Sequence, residues 1–495
     1  MRAFCLKLLL LCSVVIGFQL MACNRNELIT APGAGLEFST DTLTFDTVFT
    51  NLGNATRRFK VFNRHSQPIR IDRIALGGGQ QSDYKINIDG LAGVSAENLE
   101  IPANDSIYIF ANVFIDPNNG DAIRTDSITF ETAGGGTQTV TLYAYGWNAN
   151  YIGEVGLVTR YVNQTVQLSN ARPYIMMGII AIDSNSCINI PAGTEIYMFG
   201  GPTSNPGDRA VLYIGHNSCI RSNVGGDLNN PVEFKTHRLE EDYQLITFHH
   251  NGIFLSKTSL DNIIEGTIIR NAVDGIFVDS ASVNGNPKLR MKNCKIFNVD
   301  RSCVLSRGSD IEMSNTILAN SNQYNFIGIR GGDYNFRHCT FINVATDLVG
   351  RSEPVFSYRD FEIVVDNSGA QTVNINRGDA YFTNCIIYGN RNEEIEVVYG
   401  QPQVPNPNFN YAFNNCLIKV DTFSQNLFNC VSNQDPLFVD EDENDYQIDS
   451  TTSPANNAGT PAVFPVGSTA GPAADAIGRT RIGSTPDIGA YLIPN

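Results

Sequence analysis

A repeat constrains this chain more than any other feature. The run "NCKIFN" at 293–298 returns as "HCTFIN" at 338–343, "NCIIYGN" at 384–390 and "NCLI" at 415–418. Whole rows can be written around it, at 251–273, 274–300, 301–322 and 323–346, with looser copies later. Aligning Gly266, Cys294, Asn315, Cys339, Cys385 and Cys416 gives steps of 28, 21, 24, 46 and 31 residues. Each row holds short alternating segments between Asn/Gly corners, with no run of helix length. A step of 21–28 residues is one coil of three short strands, which buries its apolar side only by stacking on its neighbours. The step of 46 is two coils, or one coil with an insertion around Gly350 to Gln371.

Coils stacked at about 4.8 Å place equivalent residues over one another, so the sequence should be read in columns. Asn271, Asn298, Asn320, Asn343 and Asn390 form one such column near a corner, where amides bond to each other along the axis. Eight cysteines follow Cys23: Cys187, Cys219, Cys294, Cys303, Cys339, Cys385, Cys416 and Cys430. None has CxxC or zinc-ligand spacing. Cys294, Cys339, Cys385 and Cys416 share one inward position, where small apolar packing is the default. An oxidised pair between adjacent coils is the alternative. A third column is Arg307-Gly-Ser-Asp310, Arg330-Gly-Gly-Asp333 and Arg377-Gly-Asp379. As structure it is a stack of turns, with Gly at positive φ and Asp bonding the nearby backbone. As function it is a glycan-binding ridge, in which Arg clamps a uronate carboxylate and Asp handles protons or calcium.

Upstream, seven alternating segments lie between Leu36 and Trp147, among them "LEFSTDTLTFDTVF", "RFKVFNR", "IRIDRIAL" and "TVTLYAYGW". Seven short strands in a module of this length suit a β-sandwich. The net charge is −16, from 34 basic and 50 acidic residues. No Lys/Arg run stands out from that acidic background, which argues against a nucleic-acid partner. Residues 1–23 begin with Arg2 and Lys7, continue with an apolar run too short for a secure membrane span, and end in Leu20-Met21-Ala22-Cys23.

Four resemblances follow from these residues. "LMAC" resembles the lipobox of bacterial lipoproteins. It implies a signal peptide at 1–22, lipidation at Cys23, a tether at 23–35 and, with Asn24 next, an outer-membrane address facing the periplasm or the exterior. "VFNRHSQPIRIDRIAL" resembles the immunoglobulin-like modules related to the ASH group, within 36–148. The rows, with "PAGT" at 191–194, resemble the right-handed parallel β-helix of pectate-lyase-like proteins, within 149–433. "PDIGAY" at 486–491 resembles the closing module of bacterial β-helix proteins, here 434–495. In that segment Asp440, Asp442 and Asp445 offer oxygens for calcium, the one cofactor the sequence leaves open, although a solvated hairpin tip explains them too. Hydrolases of the family carry "NTD", "DD" and "GHG", and none is found. His249-His250 should lie in a strand and point to opposite faces, so at most one lines a site. The expectation is an all-β, lipid-anchored envelope protein without catalytic residues. It presents a surface to a polysaccharide or an envelope protein. The alternative is a polysaccharide lyase or glycoside hydrolase acting on acidic polysaccharide.

Overall fold

The structure is a computed structural model that describes residues 28–29, 35–53, 56–118, 122–201, 204–344, 351–400, 406–448, 451–462, 471–481 and 485–493. The chain divides into two compact units between Asn148 and Ala149. Almost every regular element is a strand. The one α-helix among the described residues is the single turn Glu241–Gln244.

The first unit has two five-stranded sheets. All pairings are antiparallel except that of Thr42–Phe49 with Thr137–Trp147, which is parallel. Alternate residues of both sheets meet in one core that includes Phe45, Phe59, Val61, Ile74, Ile109 and Phe130. Two details differ from the seven expected strands. The run 36–49 breaks into Glu37–Phe38 and Thr42–Phe49, which join different sheets. Leu91–Gly93 and Ser95–Ile101 form two further strands. They lie at sheet edges and bury only Ile101, so they carry no alternation to read.

The second unit is a parallel β-helix with three faces, called here sheets A, B and C. One coil consists of Lys295–Val299 on sheet B, Ser302–Arg307 on sheet A and Asp310–Ser314 on sheet C. The next coil repeats this order with Ile317–Ser321, Tyr324–Ile329 and Gly332–Arg337, in parallel register strand for strand. The third takes Thr340–Asn343, Phe356–Arg359 and Gly378–Thr383. The 46-residue step is therefore one coil with insertions, one of which is the projecting hairpin Phe361–Val365/Gln371–Ile375. Inward residues of all three sheets fill the bore, and its later coils are lined by phenylalanines such as Phe356, Phe382 and Phe413, whose centroids lie 4.8 and 4.5 Å apart in sequence.

A single left-handed residue turns the chain from sheet C to sheet B. Asn223, Gly266, Asn293, Asn315, His338, Asn384, Asn415 and Asn429 all have φ between 44° and 55°. Asparagine and glycine enter that region most readily, which explains the recurrent Asn. The following residue points inward. The cysteine column is thus Thr267, Cys294, Thr316, Cys339, Cys385, Cys416 and Cys430, one position off the alignment at Gly266 and Asn315. The error has a simple cause: "NC" carries both the corner and the inward residue, whereas Gly266 and Asn315 are corner residues. These thiols are apolar filler, and burial pushes Cys294 up to about 12. Cys187 and Cys219 are different. They pair in register on the outer side of sheet C and form a disulfide between adjacent coils.

The Asn271 column also departs from expectation. Asn271, Asn298, Asn320 and Asn343 do stack, but Asn343 faces Gly389, so Asn390 lies outside the register. Their amides bond loops and backbone instead of each other: Asn271 and Asn298 donate to the Gln244 carbonyl, Asn320 to Asn444, and Asn343 to the Ser321 carbonyl. Amide-to-amide bonds occur at other corners, from Asn315 to Asn293 and along Asn163, Asn185 and Asn217.

After Val431–Ser432, the segment expected to close the helix folds back along the outside of sheet B. It forms the hairpin Phe438–Asp440/Asp445–Ile448 and then an irregular strap. Tyr446, Ala476 and Ala490 cover Ile317, Ala319 and Ile342, while Ile448, Ala455, Ile488 and Ile493 cover Ile386 and Leu417. The left-handed corner residues hold it in place. Asn315 donates to the Ala474 carbonyl, Asn384 donates to the Thr460 carbonyl and accepts from the Thr460 N–H, and Asn415 donates to the Ala458 carbonyl.

Candidate functional site

Among the described residues the outer face of sheet C has no such cover, and its polar residues stand in columns. Asp310, Asp333, Asp379 and Asn410 occupy consecutive rungs at the start of the strands. Two residues further along, and on the same face, are Glu312, Asn335 and Tyr381. Arg290 lies beside Glu312 on the preceding rung, with an Nε–Oε2 distance of 3.3 Å. Arg337 follows Asn335 by two residues.

The carboxylates are not equivalent. Arg377 donates to Asp333 and lies 3.8 Å from Asp379. Asp379 also accepts from Asn410 at 2.7 Å. Asp310 has no comparable cation against it. Burial, then the charge of Asp333, push its carboxyl up to about 6. Asp333 is raised as well, by burial first and by Asp379, against the pull of Arg377. The rung before Asp310 places Lys288 beside it, and the buried Lys288 ammonium donates to the Ser256, Lys257 and Ser259 carbonyls. Burial lowers it to about 8, and it serves as a clamp on that loop.

Two cavities share Glu312 and Asn335 and so make one groove across the strands. The first, ≈ 400 Å³, is lined by Asp310, Asp333, Asp379 and Tyr381. The second, ≈ 370 Å³, is lined by Glu265, Arg290, Lys292 and Arg337, with Gly471, Pro472 and Ala473 of the strap at its edge. The groove is acidic at one end and basic at the other. One end can exchange protons, and the other can pair with anions.

Of the Arg-Gly-Asp column, only the aspartates stack. Arg307 lies opposite Ile329, not Arg330, because the corner between sheets A and C differs in length from coil to coil. Arg307 pairs with Glu362 of the projecting hairpin at 2.8 Å and lies 3.8 Å from Asp279. Arg330 is a left-handed corner residue with φ 62° and forms no ion pair among the described residues. Only Arg377 joins the carboxylates.

Asp440, Asp442 and Asp445 belong to the strap hairpin. Asp440 accepts from the Glu443 N–H and Asp445 from the Gln447 N–H, each closing a local turn. Among the described residues no group of three or more His, Cys, Asp or Glu side chains is arranged to hold a metal ion. His249 and His250 are not in a strand. Phe248 before them has φ 44°, and both rings are fully buried, not split between two faces. Burial lowers each to about 4. Cys23 lies outside the described residues, and no described helix is long and apolar enough to cross a membrane.

Glu312, Asn335, Tyr381, Arg290 and Arg337 were not singled out from the sequence. The signal was present in "DIEMS", "DYNFR" and "DAYFT": each Asp is the first or second residue of a strand, so the residue two places on shares its face.

Sheets and groove together define a parallel β-helix with a polar cleft across one face. No family model matches the chain, and no curated relative matches it. Solved structures give distant likenesses. The mannuronan C-5 epimerase AlgE6 A-module of Azotobacter vinelandii aligns at 10% identity and TM-score 0.31, covering 59% of this chain and 91% of that one. The Agl-KA catalytic domain aligns at 10% and 0.25, covering 77% and 91%. A Porphyromonas gingivalis W83 protein of unknown function aligns at 14% and 0.19, covering 25% of this chain and 51% of its own, so the chain spans about half of that protein's length.

Proposed function

We propose that this is a lipid-anchored envelope protein that holds an acidic polysaccharide across the outer face of sheet C. The supporting observation is the continuous groove in which the Asp310–Asp333–Asp379 column opens toward Arg290, Lys292 and Arg337. Guanidinium groups pair with planar carboxylates through two parallel bonds, which suits a uronate-bearing chain. The anchor would be Cys23, the first unit an immunoglobulin-like spacer, and the coil right-handed, the hand that parallel crossovers favour. The polymer would cross the strands, with sugar hydroxyls meeting Glu312, Asn335 and Tyr381. The test is retention of the soluble chain from residue 24 onward on immobilised polyuronate and on a neutral glucan. Polyuronate should retain it and the glucan should not, and Arg290→Gln should weaken retention. Equal retention on both polymers would refute the reading.

One observation favours a catalytic role in the same groove. Burial raises Asp310, while Asp333 and Asp379 on the following rungs face Arg377, and carboxyls in unlike surroundings are how one site supplies both an acid and a base. Asp310 at about 6 would be the proton donor, and Asp333 or Asp379, beside Arg377, the partner. Adjacent rungs are about 4.8 Å apart, near the retaining spacing, and alternate rungs about twice that, near the upper limit of the inverting one. Release of reducing or unsaturated ends from polyuronate, lost in Asp310→Asn, is the expected sign. A polymer bound but left uncut over a pH series from 4 to 8 would leave the protein a binder.

A further inference from the structure

The first unit carries a surface of a different kind. Its strands Arg57–Phe62, Ser106–Val113 and Tyr84–Ile88 lie side by side in the middle of one sheet. Their inward residues, such as Phe59, Val61, Ile86, Ile107 and Ile109, fill the core. Their outward residues form a face across the three strands. Arg58 stands opposite Phe110, Lys60 opposite Tyr108 and Lys85 opposite Asn112, and Asn87 lies on the other side of Phe110. Phe114 continues the alternation and is 49% exposed. A cavity of ≈ 540 Å³ opens between Lys85, Asn87, Phe110 and Asn112, and among the described residues no acid lines it.

This face is basic on a chain whose net charge is −16. Arg58, Lys60 and Lys85 form no ion pair among the described residues. The acids around them are held by other cations or stand at one end. Arg64 holds Glu37 at 3.1 Å, Arg57 lies 3.7 Å from Asp46, and Arg124 holds Asp83 at 2.8 Å. Asp89 and Asp105 sit in the turns where Ser106–Val113 begins, away from Arg58 and Lys85. Arg58 and Lys60 lie 5.3 and 4.9 Å from the centre of the Tyr108 ring, which stacks on Phe110 at 5.9 Å. These cations, Lys60 first, lower the Tyr108 hydroxyl from its ordinary value, and among the described residues no carboxylate acts on it. Rings beside cations suit the boundary of a membrane, where aromatic side chains settle at headgroup level and Lys and Arg meet anionic lipid. The cations are spread over adjacent strands and not along one groove, which fits a surface better than a single polymer.

We infer that this face docks on an anionic phospholipid surface, with Arg58, Lys60 and Lys85 toward the phosphates and Phe110 and Phe114 among the headgroups. The inference rests on the proposed anchor for its setting. Residues 24–35 span at most about 40 Å, so a lipid on Cys23 keeps this unit close to the bilayer, where a few weak contacts act at high effective concentration. It is independent of the sheet C groove. The attraction is electrostatic, so it fades with salt as the screening length falls from ~30 Å at 0.01 M to ~10 Å at 0.1 M.

The experiment is flotation at low salt of the soluble chain from residue 24 onward, with vesicles of phosphatidylcholine alone or of equal parts phosphatidylcholine and phosphatidylglycerol. The wild type should float with the anionic vesicles and not with the neutral ones, and raised salt should release it. Each of Arg58→Gln, Lys60→Gln and Lys85→Gln should weaken binding about fivefold, the equivalent of about 1 kcal/mol per cation at an anionic surface. All three side chains point outward, so the melting temperature should not move. Phe114→Ser should weaken binding while leaving its salt dependence intact. Equal flotation with both vesicles, no flotation with the anionic ones, or undiminished flotation of the triple variant would overturn the inference. So would loss of polyuronate retention in the triple variant, which would assign the face to a glycan. The soluble chain carries no acyl group, so a failure here leaves the anchor standing, and release of the full chain from the membrane fraction by Cys23→Ala tests the anchor by itself.

Discussion

Sheets B and C are built by the same coils, yet their outer faces differ. On sheet B the outward residues are Ile317, Ala319, Ile342, Ile386 and Leu417, and the strap buries them. On sheet C the outward residues on the same rungs are Asp310, Glu312, Asp333, Asn335 and Asp379, and they line an open groove. The inward residues hold the coil together in both cases. A solenoid strand has two faces, so the outer one is free to be glued or to be used, and here each sheet takes one of those options.

The largest effect should come from removing the glue. Truncation before Asp435 exposes four large aliphatic side chains of sheet B, on the order of 8 kcal/mol of lost burial. The truncated chain should partition to the pellet after centrifugation, as an uncovered apolar strip would. A soluble, cooperatively unfolding truncation would mean that the coil alone suffices.

Among the described residues sheet C carries no strap, but it has a covalent staple on its outer side. Cys187 and Cys219 close a loop with a sequence separation of 32. Replacing both with Ser should lower stability by about 3–4 kcal/mol in a denaturant titration, on the chain-entropy account. Asn384→Ala acts on the B side. It removes the residue suited to φ 55° and both bonds to Thr460, and should cost about 2–3 kcal/mol by the same measurement. A loss below about 0.5 kcal/mol would mean that the corner does not hold the strap.

The smallest effect should appear on the open face. The Asp310 carboxyl is raised to about 6, so the folded chain binds the proton more tightly than the unfolded chain does. Its contribution is present below about pH 4, where both states are protonated, and falls away as pH rises through about 6. Asp310→Asn should remove that part of the decline, seen as a flatter melting temperature between pH 4 and 7. An unchanged pH profile would mean that Asp310 is not held in its neutral form.

How much was legible follows from the physics of each feature. The coil step was legible because stacking forces similar residues to recur, and "NCKIFN", "HCTFIN", "NCIIYGN" and "NCLI" record that recurrence. The exact register was not, because a corner Asn and an inward Cys are neighbours and either can anchor an alignment. The Asp310, Asp333 and Asp379 column was legible as a repeated motif. Its cation partner was not: corner length decides whether Arg307, Arg330 or Arg377 reaches a carboxylate of that column, and only Arg377 does. The edge strand Ser95–Ile101 left no pattern because it buries almost nothing.

The sequence by itself determined the repeating coil, the inward apolar ladder and the left-handed corners. Each is a local demand, met by alternation or by a residue that tolerates positive φ. Only the tertiary structure decided which outer face is covered. Whether a polar or apolar outward column is buried depends on where a segment more than a hundred residues downstream comes to rest, as when Asn315 meets Ala474 and Arg481. That contact lies far beyond the range of any local pattern, and it leaves sheet C open.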